Sequence, residues 1–169
     1  MRRFSVLLLG GLLSGCLTFT ESSVSITEGV DQRPEIYCSA ALAEKAKVAD
    51  WSKASIVEEY VKDGRYQEGL LEMWENKPYI IRLTNQDDTS RSFRSRDFFW
   101  KAGVYKVVQD DKSEIVSCMD AVTVGPGKTT DIYVLPQKTG TYYYYEAFVD
   151  APYLQSLFWT SDMGMIYVR

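Results

Sequence analysis

The chain has 169 residues, 46% of them hydrophobic and 25% charged, with a formal charge of −4. That length fits one domain, and the composition is that of a globular protein rather than a disordered or fibrous one. The histidine count is zero, which excludes Ser-His and Cys-His nucleophile pairs, histidine zinc sites and a histidine pH switch. The acidic balance argues against a sequence-independent grip on nucleic acid.

Arg2 and Arg3 precede an apolar stretch over residues 4–13. A helix needs about 20 apolar residues to cross a bilayer, so this stretch suits a secretory signal instead. Leu13-Ser14-Gly15-Cys16 resembles the bacterial lipobox, which implies cleavage before Cys16 and acylation of its thiol. The competing reading is an ordinary signal peptide with a chance cysteine. Acyl chains on Cys16 would hold the protein on a lipid bilayer. Leu17, rather than aspartate, follows the cysteine, and by the Gram-negative sorting pattern this implies an outer-membrane lipoprotein facing the periplasm. Residues 16–33 are polar, with Ser22, Ser23, Ser25 and Gly29 and no apolar periodicity. They read as a flexible lipidated tether.

Residues 34–55 form an N-terminal extension, and its alanine-rich stretch 39–49 (SAALAEKAKVA) predicts a short helix. Residues 56–62 (IVEEYVK) are ambiguous: Ser55 with Glu58 could be a capping box, whereas the β-branched residues and Asp63-Gly64 suit a strand. Strands are expected over residues 70–74, 78–84, 104–108, 121–124, 130–135, 141–149 and 165–168. Turn signals such as Gly125-Pro126-Gly127 separate them. Short strands at this spacing predict an all-β sandwich over residues 56–169.

Export leaves Cys38 and Cys118 as an even pair in an oxidising compartment, and a disulfide is expected. Two thiolates without histidine would be a poor zinc set. Gly127-Lys128-Thr129 resembles the end of a phosphate loop, but Val122 stands where its first glycine should be, so a β-turn is expected. Asp110-Asp111 with Glu114, and Asp87-Asp88, read as solvated loops. With no visible nucleophile–base pair, the chain is not expected to be an enzyme or to carry a cofactor.

From Pro78 onward the sequence resembles a cupredoxin, the plastocyanin- and azurin-type Greek-key sandwich. The resemblance rests on Lys77-Pro78-Tyr79, Leu83-Thr84-Asn85, Ser90-Arg91-Ser92-Phe93 and the Pro126-Gly127 turn. It continues through Gly140-Thr141-Tyr142 and the terminal Gly164, Ile166 and Val168. That family holds one copper through two histidines, a cysteine and usually a methionine. The resemblance places the first histidine at Arg91, the cysteine at Glu146 and the axial methionine at Asp162, so copper electron transfer is not expected. An Arg91–Glu146 ion pair, with Asp162 as second acceptor, would replace the metal cross-link. In the run Tyr142 to Tyr145, one alternate pair should be buried and the other should cover an edge or interface. The function expected is a copper-free binding or structural module that contacts an envelope protein or a small ligand. The alternative is unconventional metal binding through Glu146, Asp162 and either Met163 or Met165.

Overall fold

The computed structural model describes residues 28–146 and 163–169. Among these residues twelve strands and two α-helices succeed one another as β1 (Gly29–Gln32), α1 (Ala40–Lys47), β2 (Ser55–Lys62), β3 (Arg65–Tyr66), β4 (Leu70–Met73), β5 (Tyr79–Asn85) and β6 (Arg91–Arg94). The remainder are α2 (Arg96–Phe99), β7 (Ala102–Gln109), β8 (Lys112–Ile115), β9 (Met119–Val124), β10 (Thr129–Pro136), β11 (Gly140–Tyr145) and β12 (Met163–Val168). They form two six-stranded sheets, β1-β9-β6-β11-β12-β4 and β3-β2-β5-β10-β7-β8. Pairing is antiparallel except for β2 with β5 and β12 with β4, which run parallel.

Alternation places the core. In β5, Tyr79, Ile81, Leu83 and Asn85 point inward while Ile80, Arg82 and Thr84 are half-buried on the other face. Val104, Val107, Ile132 and Val134 complete that layer, opposite Phe93, Val122, Val124, Tyr144, Ile166 and Val168. Tyr142 and Tyr144 are buried and Tyr143 is exposed, the division expected of the tyrosine run. Tyr144 stacks on Phe93 with ring centroids 4.7 Å apart and meets Tyr66 edge-on at 4.8 Å.

The ambiguous residues 56–62 are a strand. Their backbone pairs with β5 from Ser55 opposite Tyr79 to Val61 opposite Asn85. Glu58, the residue that would have closed a capping box, instead accepts from the Tyr60 hydroxyl at 2.8 Å in solvent. The expected helix forms as α1 and turns Ala43 and Ala46 inward. It lies so close to β7 that a Cβ at Gly103 would fall 2.4 Å from the Leu42 carbonyl oxygen.

Three expectations are corrected. The tether does not run to residue 33, because β1 pairs with β9 from Gly29 opposite Thr123 to Gln32 opposite Met119. The sandwich therefore begins at β1 rather than at residue 56. Finally, β3, β6 and β8 are strands beyond those expected, each only two to four residues long. Of the expected strand 141–149, residues 141–145 fall in β11, and residues 147–149 lie outside the described residues.

The Cys38–Cys118 disulfide forms, with Cα atoms 5.6 Å apart and 80 positions between the cysteines in sequence. In the chain-entropy picture a loop of that length is worth about 4 kcal/mol. Asp120, fully buried, reinforces the junction by accepting from Arg33 Nε at 2.8 Å, Arg96 Nε at 3.1 Å and Trp100 Nε1 at 2.8 Å.

Candidate functional site

Asn85 ends β5 fully buried and organises the loop that follows. Its side-chain N–H group donates to the carbonyl oxygens of Thr89, Val124 and Gly125 at 2.8–3.0 Å. Its side-chain oxygen accepts from the Asp87 N–H at 3.0 Å. This Asx turn aims the Asp87 carboxylate back across the end of the sandwich. There it accepts from the N–H groups of Asp63 at 2.6 Å and Gly64 at 2.9 Å, in the turn between β2 and β3. Asp63 and Gly64 have φ of 52° and 71°. Glycine at 64 serves the left-handed turn, and a Cβ there would meet Arg91 Nη2 only at an ordinary contact distance of 3.5 Å.

Arg91 opens β6 and Glu146 directly follows β11. The Arg91 Nη1 donates to both Glu146 carboxylate oxygens, at 3.2 and 3.1 Å, and Nε donates to Asp87 Oδ2 at 2.7 Å. The side chains of Asp87 and Glu146 are 8% and 7% exposed and that of Arg91 19%. The expected Arg91–Glu146 pair therefore exists, inside an ion triad whose second acceptor is Asp87. Asp162, the acceptor expected from sequence, lies outside the described residues, as does Cys16. Asp87 is thus corrected from a solvated loop residue to a buried member of the site; the signal for it was the Asn85-x-Asp87 spacing facing Asp63-Gly64.

The two carboxylates titrate in opposite directions. Burial pushes Asp87 up, but the N–H groups of Gly64 and Asp63 and the Arg91 charge outweigh it and hold the carboxyl below its ordinary value. At Glu146 burial prevails over the Arg91 charge, and the Asp87 charge adds to it, so its carboxyl is held above the ordinary value. Burial acts to lower the Arg91 value, while the charges of Glu146 and Asp87 raise it overall.

Inward from the triad, Glu59 of β2 is fully buried. Its carboxylate accepts from the backbone N–H groups of Tyr60, Gln67, Glu68 and Gly69 at 2.9–3.2 Å. It also accepts from the Tyr144 hydroxyl. Across β12, a Cβ at Gly164 would lie 2.1 Å from Tyr144 Cζ, so only glycine leaves room for the phenol that reaches Glu59. Sequence reasoning missed Glu59, which stands beside Glu58 in a strand and differs from it only in the face it occupies.

The methionines do not converge on the triad. Met163 and Met165 alternate with the buried Gly164, Ile166 and Val168 and so occupy the outer face of β12, with Met163 53% exposed. This corrects the expectation that either could approach the metal position. Among the described residues no group of three or more cysteine and acidic side chains is placed to hold a metal ion. Arginine only donates hydrogen bonds and stays protonated, so a guanidinium at the Arg91 position does not fit a copper ligand set.

No family model and no curated protein sequence matches the chain. Among solved structures it is similar to a multicopper oxidase from Pseudomonas thermotolerans, at 14% identity and a TM-score of 0.51 over 71% of this chain and 31% of that one. A multicopper oxidase of Campylobacter jejuni described as a metallo-oxidase matches at 9% identity and 0.50, over 72% and 31%. The 2F4 variant of the McoA multicopper oxidase from the hyperthermophile Aquifex aeolicus matches at 11% identity and 0.52, over 72% and 30%. The chain spans about a third of the length of these oxidases. At such identities the likeness is one of fold, and that fold is the cupredoxin-like β-sandwich.

Proposed function

We propose that this chain is a cell-envelope lipoprotein, anchored through acylated Cys16 in the outer membrane and facing the periplasm. Its cupredoxin-like domain serves there as a copper-free binding or structural module for an envelope protein, and it performs no catalysis. The observation that carries this reading is the Arg91–Asp87–Glu146 triad. In the sequence resemblance Arg91 and Glu146 stand at copper-ligand positions, and in the structure their side chains bind each other. A guanidinium between two carboxylates cross-links three chain segments as a metal would, with no open coordination position. The absence of imidazole from the whole sequence and the closure of both domain cysteines in one bridge support the same reading. That bridge also suits a compartment where disulfides persist.

The test is metal analysis of protein purified from envelopes, joined to calorimetric titration of the purified chain with Cu(I) and Cu(II). No stoichiometric copper and no saturable uptake are expected. One bound copper per chain would overturn the copper-free reading in favour of metal handling. Mass spectrometry of the N-terminal peptide tests the anchor separately, and an unmodified Cys16 would refute it.

A further inference from the structure

Among the described residues the sandwich has four edge strands, β1, β4, β3 and β8. An edge exposes unpaired N–H and C=O groups, and proteins blunt it by charge, proline, shortness or cover. β3 has only two residues. β8 carries Lys112 and Glu114, and the Gln32 side chain of β1 hydrogen-bonds Glu114, so these two edges meet through polar side chains. Among the described residues no strand pairs with the outer side of β4, and its single charge, Glu72, is held in an ion pair with Arg169. The strand reads Leu70-Leu71-Glu72-Met73, with neither lysine nor proline.

The bonds to β12 show which backbone groups of β4 point outward. The Met165 N–H donates to the Gly69 carbonyl and the Arg169 N–H to the Met73 carbonyl. Odd positions of β4 therefore face β12, and Leu70 and Glu72 direct their N–H and C=O groups to the open side. The adjoining outer sheet face is also apolar. Tyr143, Met165 and Leu70 lie in one cross-strand row and Tyr145 and Met163 in the next. Of the ten exposed large hydrophobics among the described residues, five fall on this face: Leu70, Trp74, Tyr143, Met163 and Tyr167. Together they present on the order of 500 Å² of apolar surface, against about 800 Å² per partner in a standard interface.

We propose that two copies of this chain associate through their β4 edges, antiparallel across a two-fold axis, joining two six-stranded sheets into one. Directly opposed residues share a face, so the register must match even positions with even. Pairing Glu72 with Glu72 of the partner subunit would oppose like charges. Pairing Leu70 with Glu72 of the partner subunit avoids this and lets each exchange both of its outward-facing backbone groups. Glu72 then keeps its 2.7 Å ion pair with Arg169, and the Leu70 rows of the two copies lie diagonally, two positions apart, on one face of the joined sheet.

The experiment is sedimentation velocity of the purified full chain in detergent from about 1 to 100 μM, the range suited to an interface of this size. Glu72→Pro is the diagnostic variant. It removes an N–H that faces outward and leaves every bond from β4 to β12 in place. The wild type should shift from monomer to dimer with concentration. E72P should weaken the dimer roughly tenfold or more while keeping the wild-type urea midpoint. The amides of Leu70 and Glu72 should gain hydrogen-exchange protection as concentration rises. Three results would overturn the proposal: a monomer at every concentration, an undiminished dimer in E72P, or protection independent of concentration, which would mean that the chain's own residues cover the edge.

Discussion

Replacing Arg91 with methionine keeps an unbranched apolar stem and removes the cation that both Asp87 and Glu146 contact. Two nearly buried carboxylates would then face each other's pocket without their counter-ion. Breaking a buried ion pair from one side costs about 3–5 kcal/mol; because Arg91 itself is 19% exposed, the lower end, about 3 kcal/mol, is expected. Glu146→Gln should behave differently. It leaves Arg91 paired with Asp87 one to one and retains an acceptor for Nη1, so about 1 kcal/mol or less is expected. The double change should recover about 1–2 kcal/mol relative to Arg91→Met alone, because one stranded charge has gone. Urea unfolding at neutral pH measures all three, with midpoints compared at constant slope. If Arg91→Met costs no more than Glu146→Gln, or the double variant recovers nothing, the triad is a surface contact and the cross-linking argument fails.

The opposite shifts of the two carboxylates give a pH signature. Glu146, held above its ordinary 4.5, contributes stability that is fully present below that value and is lost as pH rises through its folded value. Glu146→Gln should therefore flatten the decline of unfolding free energy above pH 4.5, read from urea titrations at stepped pH. Asp87, held below its ordinary 3.8, contributes stability present above that value and lost as pH falls through its folded value. Asp87→Asn should weaken the acid limb below pH 3.8 and, because the Asp87 charge helps to raise Glu146, reduce without abolishing the limb above pH 4.5. Gly164→Ala should destabilise by about 3 kcal/mol, since the new methyl meets the Tyr144 ring in a filled core. Thermal melts report the loss, and an unchanged midpoint would show that Tyr144 can move away from Glu59 freely.

The long strands were legible because burial on one face leaves a period of two, as in Tyr79, Ile81 and Leu83. The same logic misses β3 and β6, which are too short to show a period, and β1, whose Val-Asp-Gln is polar because it borders an edge. The Arg91–Glu146 contact was legible only through a family resemblance; nothing in charge or spacing links residues 55 positions apart. The partner of that pair was misplaced because a turn aspartate is ordinarily solvated, and only Asn85 turning the loop inward brings Asp87 under the surface. The methionines failed for a simpler reason. Gly164 must face Tyr144, and the alternation of the strand then sends Met163 and Met165 outward.

Glu59 also bears on the order in which the domain can assemble. The loop that surrounds its carboxylate follows within ten positions, whereas the tyrosine that completes its coordination is 85 positions away. A collapsed intermediate that withdrew this carboxylate from water before β11 arrived would hold a partly satisfied charge in an apolar core. Such states are disfavoured, so β2, the loop into β4 and β11 are driven to consolidate in one step. The residue that looks like a defect in the core thereby ties the first half of the sandwich to its last strands during folding, and selects against compact forms in which β11 has docked one residue out of register.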